Sequence, residues 1–264
     1  MLGGMAFAAI NGIDLYYEVH GPALGTAPAI VFAHGAGGNH LSWWQQVPHF
    51  RERFTCVTYD QRGWGRSEDT TGELVTRFTD DLEALLDSLG IAKATLVAQS
   101  MGGWPCLGLA LRAPARVTRL VMSDTHGGTY GPEIPALSGG PQPDPKRGYH
   151  PACGETMLAE QPILNFLYWQ ITGLNAEYDQ ARRRQLVSRD VTPSSDLVRT
   201  LPVPTLFIAG EEDVVIPTAV VQATAALVSG AKFVTVPRSG HSVHFERATE
   251  WNAIVDRFLA ETAL

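Results

Sequence analysis

Apolar strand runs alternate with helical patterns along this chain, and that alternation calls for a mostly parallel sheet covered on both faces. Ala29-Ile30-Val31-Phe32-Ala33 is a continuous apolar run, as in a central strand buried on both sides. Residues 54–59, 94–98, 117–123, 205–209 and 232–236 read as further strands. Phe78, Leu82, Leu85, Leu86 and Leu89 share one helical face that stops at Gly90. Residues 101–112 form a second helix candidate, and Pro217 opens a third, since a missing N–H costs nothing in a first turn. Trp251, Ile254, Val255, Phe258 and Leu259 give the last helix its apolar face. The start of the chain differs. Residues 5–10 and 13–19 flank Asn11-Gly12, a pair that supplies the positive φ angles of a tight hairpin.

Residues 127–198 break the rhythm. Their first part is dense in Gly and Pro, from Gly127 to Pro151, and their second part, 155–187, looks helical, with Phe166, Leu167, Tyr168, Trp169 and Ile171 clustered. A long insertion in a compact domain is usually functional. The expected organisation is a core of residues 1–126 and 199–264 with a cap, or lid, at 127–198.

Composition narrows the function. A chain of 264 residues suffices for one domain with an insertion. Its net charge is −7 and it carries no basic stripe, which argues against nucleic acid as a partner. Arg182-Arg183-Arg184 lies beside Glu177, Asp179 and Asp190 and reads as a solvated helix face. No apolar run approaches the ~18 residues that span a bilayer, and the N-terminus lacks a signal-peptide pattern; a cytoplasmic protein without membrane partners is expected. Cys56, Cys106 and Cys153 are too few and too odd in number for a disulfide framework. Cys56 and Cys106 read as small buried apolar groups.

Four motifs carry chemistry. The first is Ala98-Gln99-Ser100-Met101-Gly102-Gly103, between an apolar strand and a helix. A serine on so sharp a turn needs very small neighbours two positions away. Gly102 and Gly103 satisfy this, while Ala98 adds one methyl group on the strand side. The turn sets Ser100 at the positive end of the following helix. Pro105 requires a local adjustment there, or a later helix start. The second is His34-Gly35-Ala36-Gly37-Gly38, a loop able to expose backbone N–H groups. The N–H groups of Ala36 and Met101 are the candidate oxyanion donors, and His34 reads as structural.

The third is Gly210-Glu211-Glu212-Asp213 at the carboxyl end of a strand, where open α/β sheets place ligands. Asp213 is the candidate acid that orients a base, Asp124 is the rival acid, and Glu211 and Glu212 read as solvent-facing. The fourth is Ser239-Gly240-His241 after the last strand, with His241 preferred over His244 as base because a glycine-preceded loop suits a mobile imidazole. Asp60-Gln61-Arg62-Gly63-Trp64-Gly65-Arg66-Ser67 reads as a structural turn, with Arg62 in a scaffold salt bridge.

Together these motifs make the chain resemble the α/β-hydrolase superfamily over nearly its whole length, in the order nucleophile, acid, histidine. The resemblance implies an eight-stranded sheet with its second strand antiparallel and a helical cap after the sixth strand. It implies Ser100 as nucleophile, His241 as base and Asp213 as acid, with no metal or organic cofactor. Esterases, enol-lactonases and carbon–carbon bond hydrolases are the most similar members. The last group usually carries a Trp beside the histidine and an Arg in the cap. Here Ser242 stands beside His241, and Arg182, Arg183, Arg184 or Arg189 is available as a cap cation.

The expected reaction is hydrolysis of a small carboxylic ester or lactone through an acyl-enzyme. The alternatives are hydrolysis of a vinylogous 1,5-diketone, a ligand receptor, and cofactor-free lyase or oxygenase chemistry. Trp104, His126, Tyr130, Phe166, Trp169 and Val215 are as well suited to core as to pocket lining. His40, Trp43 and Trp44 either reach the rim of the oxyanion loop or cover the sheet.

Overall fold

Asn11 and Gly12 take φ values of 46° and 83°, and Ile10 pairs with Ile13 across this two-residue turn. Strands β1 (Gly4–Ile10) and β2 (Ile13–His20) therefore run antiparallel. β2 is also antiparallel to β4 (Thr55–Tyr59). The remaining pairings, through β3 (Ala29–Ala33), β5 (Ala94–Gln99), β6 (Val117–Ser123), β7 (Thr205–Gly210) and β8 (Lys232–Val236), are parallel. The eight strands form one sheet in the order β1-β2-β4-β3-β5-β6-β7-β8. This is the sheet the resemblance implies, with its second strand antiparallel. The computed structural model describes residues 4–137, 144, 146, 148, 150–175 and 191–261; Arg182, Arg183, Arg184 and Arg189 lie outside them.

Every residue of β4, β5 and β7 is buried, the reason these strands read as unbroken apolar runs rather than as alternations. Successive side chains still point to opposite faces. Val31 and Ala33 join the layer of Leu82, Leu85, Leu109 and Val220, supplied by helices Phe78–Ser88, Gly103–Arg112 and Thr218–Leu227. Ile30 and Phe32 join Trp43, Phe50, Trp251 and Val255 on the other side, supplied in part by helix Ala248–Ala260. Cys56 and Cys106 are buried in these two layers as free thiols. Trp43 is fully buried in the second layer, where it covers the sheet.

Between β6 and β7 lie helices Glu155–Glu160 and Pro162–Thr172. Tyr168 and Ile171 are buried with Ala152, Cys153 and Met157 against Phe245, and Leu164 and Leu167 pack on that cluster. Phe166, adjacent to them in sequence, is 65% exposed. The 3.6-residue period explains the difference: positions 164, 167, 168 and 171 share one face, and 166 lies across the helix from it. Among the described residues, no helix is long and apolar enough to cross a membrane.

Candidate active site

The site forms where the carboxyl ends of the parallel strands meet the loops that follow them. Gln99 ends β5 in extended conformation, and Ser100 turns the chain with φ of 49°. That value lies in the left-handed region that a residue with a Cβ avoids. A tight turn Ser100–Gly102 follows, and helix Gly103–Arg112 begins only then. This late start answers the constraint at Pro105, which falls in the first turn, where an N–H has no partner within the helix.

The turn is crowded from behind. A Cβ on Gly102 would stand 2.1 Å from the carbonyl oxygen of Ala33, and one on Gly103 would stand 2.3 Å from Thr125 Oγ1. Gly102→Ala must therefore push helix and strand apart. The expected cost is about 1–3 kcal/mol or more, read from urea unfolding midpoints; an unchanged midpoint would show that the contact yields without strain. On the strand side, Ala98 is fully buried between its pairing partners Ala33 and Met122, and its methyl group is accommodated.

Ser100 Oγ lies 2.7 Å from His241 Nε2, and His241 Nδ1 lies 2.8 Å from Asp213 Oδ2. The other Asp213 oxygen accepts from the N–H groups of Val215 and Ile216, at 2.8 and 2.9 Å. These hydrogen bonds fix the carboxylate toward the imidazole. Burial opposes the charged form of His241, but the charge of Asp213 and its hydrogen bond, with the charges of Asp124 and Glu246, outweigh it and raise the pKa above the ordinary value.

The loop bearing His241 is held on several sides rather than left mobile. Gly240 and Ser242 donate to Glu246, Val243 donates to Asp124, and the His241 carbonyl accepts from Gln99 Nε2 at 2.6 Å. Asp124, the rival acid, makes no hydrogen bond to His241. Its Oδ1 accepts from Gly210 N at 3.0 Å, and its Oδ2 accepts from Ser123 Oγ at 2.9 Å and from Val243 N at 3.3 Å. Burial and the nearby negative charge of Asp213 push its pKa up to about 8. Asp124 thus braces β7 and the histidine loop. His244 is also buried, its ring tilted against Trp43 with centroids 4.5 Å apart, and neither ring nitrogen has a hydrogen-bond partner among the described residues. Burial lowers its pKa to about 3, which keeps it neutral.

Gly35 presses on the serine turn: a Cβ there would come within 2.0 Å of Gln99 Oε1 and 2.9 Å of Ser100 Cβ. Ala36 follows directly, with its carbonyl held by Trp64 Nε1 at 2.8 Å. Met101, the other candidate oxyanion donor, follows Ser100 and is buried. His34 Nδ1 lies 2.8 Å from the Gly35 carbonyl, and His34 Nε2 accepts from Gln61 N at 2.9 Å. Burial brings its pKa to about 4. It is a neutral structural ring. Arg62 is fully buried and grips both oxygens of Asp81, at 2.7 and 2.8 Å, so it serves the scaffold. His40 is likewise tied to Asp60, at 2.8 Å.

The insertion hangs from the same loop. Thr172 Oγ1 donates to the Gly37 carbonyl, Asn39 Nδ2 to the Ile171 carbonyl and Asn175 Nδ2 to the Gly38 carbonyl. Tyr168 Oη lies 3.4 Å from Ser242 Oγ. His126 packs on Trp104, and His150 packs between Tyr168 and Trp169. Burial first, and then the charge of His241, lowers both imidazoles to about 4.

Sequence reasoning missed Gln99, Tyr168, His150 and Glu246. It also misplaced Glu212, whose carboxylate accepts from Thr156 N at 3.0 Å and from Thr156 Oγ1 at the base of the insertion. The partners of Glu212 come from a distant segment, and no local pattern announces them. Among the described residues, no group of three or more His, Cys, Asp or Glu side chains could hold a metal ion.

The profile of the alpha/beta hydrolase family matches residues 30–254, and the chain belongs to that family. It is 28% identical to a Caulobacter protein named as a carbamate hydrolase, over 94% of this chain and 97% of that one. It is 28% identical to the 2-hydroxymuconate semialdehyde hydrolase of a Pseudomonas species, over 88% of this chain and 87% of the other. The crystal structure of an enol-lactonase from Burkholderia xenovorans superposes with a TM-score of 0.79 at 25% identity, covering 97% of this chain and all of that one. These relationships make the chain a hydrolase of this family.

Proposed function

We propose that the protein is a serine hydrolase that cleaves a small carboxylic ester or lactone through an acyl-enzyme. The observation that carries this reading is the unbroken hydrogen-bonded chain from Ser100 through His241 to Asp213. His241 takes the proton of Ser100 as Oγ attacks the carbonyl carbon, and Asp213 holds the ring and stabilises the imidazolium. The N–H groups of Ala36 and Met101 receive the oxyanion. His241 then gives its proton to the leaving alcohol and later takes one from the water that releases the acid. None of these steps needs a cofactor. In this reading helices Glu155–Glu160 and Pro162–Thr172 belong to the cap, and the substrate lies between them and Ser100.

Two relatives direct the choice of substrates. Carbamates and esters share an acyl carbonyl, so the same steps serve the activity for which the Caulobacter relative is named. The semialdehyde hydrolase supports a second reading, cleavage of a carbon–carbon bond in a vinylogous diketone. The discriminating experiment is a turnover screen of p-nitrophenyl esters of increasing chain length, lactones, a carbamate and a dienol diketone, each with wild type and Ser100→Ala. Serine-dependent turnover of esters or lactones supports the proposal. Turnover of the diketone alone replaces it with the second reading.

The pH dependence follows from His241. Only the neutral imidazole accepts the serine proton, so kcat/KM should fall as pH drops through the His241 pKa. Because that pKa is raised, the midpoint of the acid limb should lie above the ordinary imidazole value of about 6.5. A limb centred well below that value would mean that His241 is not the group being titrated.

A further inference from the structure

Glu246 is a buried carboxylate with no cation paired to it among the described residues. It ends the short helix Val243–Glu246 and is 4% exposed. Its Oε1 accepts from Gly240 N at 3.1 Å and from Ser242 N at 3.3 Å. Its Oε2 accepts from Gly240 N and from Gly154 N, both at 3.0 Å. Arg247, its neighbour in sequence, donates instead to the Arg238 carbonyl. Burying a carboxylate is costly unless hydrogen bonds replace its water, and here backbone N–H groups do so.

The donors have a pattern. Gly240 and Ser242 are the two residues on either side of His241. Gly154 belongs to the base of the insertion, immediately before helix Glu155–Glu160. The two glycines meet back to back: a Cβ on Gly240 would stand 2.3 Å from Gly154 N, and a Cβ on Gly154 would stand 2.7 Å from Gly240 N. One side chain therefore fastens the histidine loop and the foot of the insertion to each other. Glu212, next to Asp213, accepts from the N–H and hydroxyl of Thr156, two residues beyond Gly154.

We propose that Glu246 is the positioning residue that holds His241 at Ser100 and makes that position depend on the seating of the insertion at Gly154. The proposal rests on the reading of His241 as base. Glu246 touches no reacting atom and acts through the two peptide groups beside the imidazole. It also acts through charge, since its carboxylate favours the imidazolium. The other titratable groups that bear on His241 are Asp213, Asp124, His126, His150 and His244. Those that bear on Glu246 are Glu212, Cys153 and Tyr168. Burial pushes the Glu246 pKa up to about 7 against the pull of the three N–H donors.

The test uses a p-nitrophenyl phosphonate, which reads the reactivity of Ser100 whatever the natural substrate is. Its reaction rate is followed by release of p-nitrophenol in the full-length wild type, Ser100→Ala, Glu246→Gln and Glu246→Asp, from pH 5 to 9. Glu246→Gln keeps the shape but turns an amide N–H toward N–H donors and removes the charge. It should slow phosphonylation by about tenfold or more and move the acid limb to lower pH. A role in stability alone would leave that limb in place. Glu246→Asp keeps the charge but is too short to span Gly154, Gly240 and Ser242. It should slow the reaction while leaving the limb unmoved, and it carries the test if Glu246→Gln does not fold. A wild-type rate with a wild-type limb in either folded variant overturns the proposal. A wild type that reacts no faster than Ser100→Ala overturns the reading of the site itself, which is a separate result.

Discussion

Ser100→Ala should lower ester turnover by a factor on the order of 10⁴–10⁶ while leaving the protein folded. The loss is large because in the proposed mechanism Oγ is the atom that bonds to the acyl carbon, and no other hydroxyl lies in hydrogen-bond contact with His241 Nε2 among the described residues. The fold survives because alanine adds no atom to a turn whose crowding lies at Gly102 and Gly103. Two measurements check this together: steady-state turnover of a p-nitrophenyl ester, and the mass increase after phosphonate treatment, which should vanish in the variant. His241→Ala in the same background should cost little more, because serine and histidine act as one unit. Turnover by Ser100→Ala within tenfold of wild type would remove serine from the mechanism.

Asp213→Asn should cost about 10⁴-fold in kcat with little change in geometry. The amide is nearly isosteric, but it can present an N–H to His241 Nδ1 where the carboxylate only accepts. That exchange favours the tautomer with its proton on Nε2, facing Ser100, and such a ring cannot take the serine proton. The N–H groups of Val215 and Ile216 would keep the side chain in place, so the effect should appear in kcat rather than in stability. Asp124→Asn provides the comparison. Asp124 holds Gly210 and Val243 rather than the imidazole, and its substitution should cost far less activity. If Asp124→Asn proves the more damaging of the two, the assignment of the acid is reversed.

Most of the sheet was legible from the sequence because buried parallel strands are written as continuous apolar runs, as in Ala29–Ala33. The hairpin was equally plain, since only positive φ at Asn11 and Gly12 closes so short a turn. Ser100, Asp213 and His241 could be singled out as candidates because each follows a strand in a motif with small residues: Ala98 and Gly102 two positions from Ser100, Gly210 three before Asp213, and Gly240 directly before His241. What holds them could not. Glu246 reaches Gly154 across 92 residues, and Gln99 reaches His241 across 142. Such contacts are set by packing and leave no periodic mark. The same applies to Glu212, which reads as a loop carboxylate until Thr156 is brought to it. The insertion was legible as an interruption but not as a surface. Phe166 and Tyr168 look alike in sequence, and only the helix phase separates the exposed ring from the buried one.

The attachment of helix Pro162–Thr172 to Gly37 and Asn39 bears on how this enzyme could diversify. The helix that would shape the proposed substrate pocket is bonded to the loop that carries the Ala36 N–H. Mutations that reshape the proposed pocket by shifting this helix would pull on the proposed oxyanion donor as well. New substrates are therefore more readily acquired by changing side chains on a fixed helix than by moving it, and the evolutionary freedom of selectivity is bounded by the rate of the chemistry itself.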